Sequence, residues 1–267
     1  MDEDHDYQRS VVGRLIAQAR SLTMPVILTI ALLVVWEAAV AVLDVSVVTL
    51  PPPTTVAAAI FEHRDLLMQH SVPTTVEGLM GFGLAVVVGM GLGILLALSK
   101  FFRVAIYPLI VAFQVVPKVA LAPLFIVWFG LGMTSRVLLA FVIAFFPMVV
   151  NTFAGIQGTD PMMLRMARSF SATRWTVFRK IEFPNALPYI FSGLKIGVTF
   201  AIIGIIVAEF VTAQRGLGYL IVFAEGNIDT PLLMAALVVL SVIGLLLYGA
   251  IVVLEKVIIR WDVGQKF

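Results

Sequence analysis

The 267-residue chain contains no cysteine. Disulfides, thiolate metal sites and cysteine nucleophiles are therefore excluded, and redox compartment cannot be read from cysteine usage. Charge is scarce as well. Asp, Glu, Lys and Arg make up 13% of the residues, against roughly 25% in soluble domains. No Gly-x-x-x-x-Gly-Lys-Ser/Thr phosphate loop is present, so any ATP must bind a different polypeptide. The three histidines, His5, His63 and His70, fall in polar flanks, and no two stand at i, i+4. That pattern suggests no metal site. No nucleophile–base–acid set stands out, so no catalytic residue is expected and the chain reads as a non-enzyme.

Apolar surface is abundant instead. The chain is 61% apolar with a mean hydropathy of +1.05. Too little polar surface remains to meet water, and the excess must face lipid. The net charge of +2 and pI near 9.0 call for no nucleic-acid partner, because membrane proteins collect Lys and Arg in cytoplasmic loops.

A crossing helix needs about 20 apolar residues. Six runs qualify: 24–43, 74–98, 104–129, 137–154, 189–211 and 232–254. The expected fold is an all-α integral membrane protein with six transmembrane helices. Residues 1–23 form a polar N-terminal segment, 24–254 the membrane domain, and 255–267 a C-terminal tail. Ala39-Val40-Ala41 resembles a signal-peptidase site, but the preceding run is too long for a signal-peptide core. It is read as a retained helix. The third run holds Pro108, Pro117 and Pro123. A helix so interrupted leaves carbonyls unpaired, so it is expected to be broken and shielded by its neighbours. With the N-terminus inside, thirteen of the 18 basic residues fall in cytoplasmic segments. Arg64, Arg136 and Arg215 fall outside, and Lys118 and Lys195 lie within spans. This bias places both termini in the cytoplasm.

The second run carries Gly78, Gly81, Gly83, Gly89, Gly91 and Gly93. Glycine lets membrane helices approach closely, either within one subunit or at a subunit interface. The longest inner loop, 155–188, has a folded pattern. Asp160-Pro161 is a helix start. Met163, Met166, Ala167 and Phe170 then share one face. Thr173 can cap a second short helix in which Trp175, Phe178 and Ile181 share a face, and Pro184 is expected to end it. Two such helices can lie on the membrane, pack back on the bundle, or dock into a groove on a soluble partner.

The same loop resembles the Glu-Ala-Ala loop of ABC importer membrane subunits. That family pattern is E-A-A, three residues, G, nine residues, I-x-L-P. Here Arg165-Met166-Ala167 is followed by Ser171 and then Ile181-Glu182-Phe183-Pro184, with every spacing kept. Ala167, Ile181 and Pro184 match; Arg165, Met166, Ser171 and Phe183 depart. The resemblance extends over residues 24–262. Leu50-Pro51-Pro52-Pro53, the stretch from Pro117 to Leu124, Trp128-Phe129-Gly130-Leu131-Gly132, Phe146-Pro147, Asn151-Thr152, Gly155, Glu209 and Gly216-Leu217-Gly218-Tyr219 are similar to the nitrate/sulfonate/taurine branch.

The resemblance implies the type I ABC importer permease fold in a bacterial plasma (inner) membrane. It implies a homodimer of this chain, two copies of an ATPase carrying ATP and Mg, and an extracytoplasmic solute-binding protein received on 44–73 and 212–231. It implies an ATPase-coupling loop formed by Arg165, Ala167, Ser171, Arg174, Trp175, Phe178, Ile181 and Pro184, with Trp175 and Phe178 anchoring the contact. The solute classes implied are nitrate, taurine or alkanesulfonates, and pyrimidine or other aromatic precursors.

Charged residues in spans are functional candidates by default. Gln114, Lys118 and Glu209 are the translocation-path candidates. Lys118 either attracts an anionic solute, pairs with a carboxylate such as Glu209, or snorkels along a wet cleft. Glu209 either lines a gate or pairs with a cation. Lys195 is expected to snorkel to the inner interface, while Glu37 and Glu77 are read as packing or interface residues. The competing class is a gradient-driven carrier or channel, which calls for internal repeats and paired mid-membrane acids. Neither is evident. A membrane-embedded enzyme would need clustered His, Asp or Ser, also not evident.

Overall fold

The computed structural model describes residues 3–212 and 214–260, with side chains described from residue 23 onward except at 212. Its helices are α1 (Glu3–Val42), α2 (Pro53–Glu62), α3 (Arg64–Leu98), α4 (Lys100–Val115), α5 (Ala122–Phe129), α6 (Met133–Gln157), α7 (Pro161–Ser169), α8 (Arg174–Val177), α9 (Phe183–Thr212), α10 (Leu217–Gly226) and α11 (Thr230–Ile258). Among the described residues five helices are long and apolar enough to cross a membrane, and α4 with α5, taken as one bent pair, makes a sixth.

The break has a local cause. The chain turns by 89° between α4 and the segment Lys118–Phe129. Pro117 stands at the turn, and Pro123 sits in the first turn of α5, where a missing N–H costs nothing. Pro108 lies inside α4 without ending it. Only one of the three prolines therefore marks the break. The half-helices stay covered: Ile110 packs with Leu96 and Val149, and Phe125 packs with Leu139, Ile143 and Ala208.

The core is the α3–α6–α9 trio, and glycine sets its spacing. A Cβ added at Gly81, Gly89 or Gly93 would lie 2.6–2.7 Å from the Cβ of Ala140, Met148 or Thr152 on α6. Gly83 and Gly91 face open space. The glycines that touch protein thus pack within the subunit.

Two expectations need correction. Pro184 does not end a helix: α8 runs through a π-helical turn, Phe178–Glu182, straight into α9. Phe183 N–H bonds Phe178 O five residues back, so the ladder is already reset where Pro184 lacks its donor. Segments 44–73 and 212–231 are not simple loops, because α2, the start of α3 and α10 lie within them. Leu217 and Leu220 of α10 are buried in an apolar cluster with Leu67, Leu232 and Leu240. The polar N-terminal segment is continuous with the first span, since α1 begins at Glu3. The tail from residue 261, including Lys266, lies outside the described residues.

Candidate functional site

The segment between α6 and α9 is built by its caps. The Asp160 side chain accepts the Met162 amide at 2.7 Å with Pro161 at the first helical position, and α7 starts there. At the other end Ala172 N–H bonds Ala167 O at 3.1 Å and Ser171 N–H bonds Arg168 O at 3.0 Å. This pair of bonds is a Schellman closure, and Ser171 occupies its left-handed position with φ 56°. The glycine of the family pattern falls at this place, so the spacing preserves a backbone shape even where the residue differs. Thr173 then caps α8 through Thr176 N–H at 3.2 Å.

The loop is tied down from behind. Gln157 Nε2 and Arg103 Nη2 both donate to Ala97 O, at 3.0 and 2.8 Å, satisfying a carbonyl at the α3 terminus. Ala167 is buried and Val177 faces inward. The outward surface of α7 is apolar: Met162, Met163, Met166 (59% exposed) and Phe170 (79% exposed). Arg165 is exposed beside them, its guanidinium 3.9 Å from Met162 Sδ. Arg174 is exposed and Trp175 is 65% exposed. Phe178 is half-buried, its ring centroid 5.7 Å from that of Trp175 and 5.9 Å from that of Phe183. Ile181 and Pro184 are half-buried. Residue-level reading singled out Trp175 and Phe178 as the contact. Their rings are in contact, Trp175 being the more exposed of the two, and a further exposed apolar face lies on the methionines and Phe170. The period through Met163, Met166 and Phe170 carried that signal, and Met162 was the member it left out.

At the opposite end of the bundle, Glu209 is 1% exposed. Its Oε2 accepts Gly218 N–H at 2.7 Å and its Oε1 accepts Thr74 Oγ1–H at 2.8 Å. Thr74 Oγ1 accepts Leu217 N–H at 2.8 Å, and His70 Nδ1 accepts Gly216 N–H at 3.0 Å. Three successive amides at the start of α10, orphans by position, are thus capped by side chains of α3 and α9. Gly216, at φ 114°, lies where any Cβ would strike the Glu209 carboxylate. His70 is buried and stacks on Tyr219 at 5.7 Å, which corrects its placement in a polar flank.

Arg136 was counted in an outer segment, yet it is buried in the first turn of α6 and pairs with Glu77 at 2.6 and 2.7 Å. Arg215 approaches the same carboxylate at 3.6 Å. A cleft of about 690 Å³ opens beside this cluster, lined by His70, Glu77, Gln214, Arg215 and Tyr219.

Lys118 does not pair with Glu209. Its Nζ donates to Gln114 O at 3.0 Å and stands 4.7 Å from the centroid of the Phe146 ring. Gln114 is exposed on the last turn of α4. The two residues share the break, while Glu209 belongs to the α10 cap. The Lys195 Nζ meets Glu255 near the end of α11 at 2.9 Å. Glu37 accepts the Thr54 amide and hydroxyl at 3.1 and 2.7 Å, joining α1 to α2.

Six crossings, a broken third helix and a capped loop between the fourth and fifth describe a multi-pass transport permease. Residues 89–260 match the family described as binding-protein-dependent transport system inner membrane component, and the chain belongs to that family. It is an ABC importer permease of the nitrate/sulfonate/taurine branch, with sulfonate and taurine permeases among its relatives. It is 40% identical to a riboflavin transport system permease protein of Chloroflexus aurantiacus, over 91% of each chain. It is 32% identical to a formylaminopyrimidine transport permease protein of Halalkalibacterium halodurans, over 90% of this chain and 96% of the relative. The fold is that of a chain in an inward-facing methionine ABC transporter, with a TM-score of 0.64 at 19% identity. That match covers 74% of this chain and 99% of the other.

Proposed function

We propose that this chain carries a small solute inward by alternating access and is driven by a separate ATPase seated on α7. The observation that carries the reading is the exposed apolar face of α7, fixed at both ends by caps and backed by the bundle. A surface of methionine and phenylalanine held on a rigid short helix suits helix-in-groove docking. Two copies of the chain and two ATPases, holding ATP and Mg, form the working unit. ATP binding draws the ATPases together, and each carries its bundle as a rigid body through α7 and the continuous α8–α9 rod. Gln114 and Lys118, at the break in the third crossing, face the path. The termini and α7 lie in the cytoplasm, and a binding protein delivers solute to the far end, where Phe61, Met68 and Ile228 are exposed.

The names of the two relatives reported above favour a nitrogen heterocycle over nitrate as the solute. Co-purification with the ABC ATPase encoded beside the gene tests the coupling. A complex of two chains and two ATPases that hydrolyses ATP supports it. A folded, monodisperse chain that binds no ATPase overturns it and favours a gradient-driven carrier. Uptake of labelled riboflavin, a pyrimidine and taurine with the cognate binding protein tests the solute.

A further inference from the structure

Four cations converge behind the coupling loop without a matching set of anions among the described residues. Lys100 and Arg103 at the start of α4, Arg168 of α7 and Arg174 of α8 line one cavity of about 990 Å³. Among the described residues the single carboxylate in its wall is Glu182, which lies in the field of Arg168 and Arg174. None of the four cations is in an ion pair among the described residues. Arg103 is positioned by its bonds to Leu96 O and Ala97 O, and these use Nε and one Nη.

The rest of the wall is apolar. Leu98 and Val104, both exposed, flank the cations on the α3–α4 corner, and Trp175 stands on the other side. The corner is the end of one membrane span and the start of the next, which is the depth of lipid headgroups. A cationic rim beside apolar walls at that depth matches a phospholipid, with its phosphate on the cations and its chains along α4. A cavity of this size lies within the range of small-molecule sites.

We propose that this cavity binds the phosphate of an anionic phospholipid headgroup, and so places a lipid between the bundle and the coupling loop. The site is separate from the outer face of α7, so a lipid there leaves the docking surface free. Its occupancy bridges α4 to α7 and α8, the parts that must move together when the loop is pushed.

The test uses the full chain in bilayer nanodiscs containing equal phosphatidylglycerol and phosphatidylcholine, with retained lipid counted by native mass spectrometry. Wild type is expected to retain phosphatidylglycerol in preference. Lys100→Gln is expected to lower that preference about fivefold, the weight of one basic residue near an anionic surface, and Lys100→Arg to preserve it. Lys100 makes no side-chain bond among the described residues and begins a helix, where losing a positive charge favours the helix dipole, so Lys100→Gln is expected to fold. Equal retention of the two lipids, or unchanged preference in Lys100→Gln, overturns the proposal. Displacement of the lipid by inorganic phosphate overturns the lipid source and leaves a free-anion site. Displacement by the ATPase overturns it in favour of an acidic protein surface.

Discussion

Glu209 on α9 holds the amide of Gly218 on α10 at 2.7 Å, in a place where neither group meets water. The bond fixes a short buried helix to the end of a long one. Glu209→Ala leaves the Gly218 amide and the Thr74 hydroxyl without their acceptor. A buried donor so orphaned costs about 1–3 kcal/mol, and Glu209→Gln, which keeps one oxygen and can accept from one of the two, is expected to cost less. Thermal unfolding of the purified protein in detergent ranks them. Equal melting temperatures for wild type and Glu209→Ala would show that α10 does not need this cap.

The Glu77–Arg136 pair makes a second demand on the same end of the bundle. Both side chains are buried, so removing one partner strands the other charge. Glu77→Ala is expected to destabilise by about 3–5 kcal/mol, while Glu77→Leu with Arg136→Met is expected to recover most of the loss. Arg215, exposed and 3.6 Å away, offers the carboxylate of Glu77 only a weak substitute when Arg136 alone is changed. A double-mutant cycle read by thermal unfolding checks this, and additive losses would contradict it.

The α3 glycines divide into two sets that respond differently to a methyl group. Gly89→Ala pushes a Cβ to 2.7 Å from Met148 Cβ, and the cost of such overpacking is about 1–3 kcal/mol. Gly91→Ala meets nothing within 4 Å and is expected to leave the subunit's melting temperature unchanged. The same pair of variants, followed by size-exclusion chromatography, shows whether the open glycine face joins two copies of the chain.

The crossings were legible because a bilayer demands long apolar runs, and the caps of α7 and α8 were legible because Asp160, Pro161 and Thr173 act on neighbours in sequence. Partners far apart in sequence were not. Arg136 and Glu77 are 59 residues apart, as Glu255 and Lys195 are 60 apart, and nothing near any of the four in sequence names its partner. The buried state of α10 was hidden for a different reason. Its ten residues are too few for a span, and its capping side chains come from α3 and α9. Pro184 misled because a proline ends most helices, but here a π turn ahead of it absorbs the missing bond.

Ser171 gives a direct test of the coupling loop's backbone. At φ 56° a serine carries a strain that glycine does not, and the left-handed conformation costs L-residues roughly 1–2 kcal/mol. Ser171→Gly is expected to stabilise the α7 terminus by about 1 kcal/mol at most, since glycine also loses more entropy on folding. Ser171→Val is expected to open it. Hydrogen exchange at the Ser171 and Ala172 amides reads both changes, and faster exchange in Ser171→Gly would refute the assignment.

Coupling itself should follow the outward face of α7 more than the aromatic pair Trp175 and Phe178. Met166→Asp or Phe170→Asp places a charge where the proposed groove is apolar. Neither side chain supports the bundle, as both are more than half exposed. Each is therefore expected to leave folding intact and to weaken ATPase association by about 30-fold or more, the loss typical of an interface hot spot. Phe178→Ala is expected to behave differently, because that ring packs against Phe183 and the bundle. It should lower the melting temperature before it affects docking. Trp175→Ala, exposed and beside the cationic cavity, separates the two remaining roles. Loss of ATPase binding would extend the docking face to α8, whereas intact binding would confine docking to α7 and leave Trp175 to the lipid side of the loop.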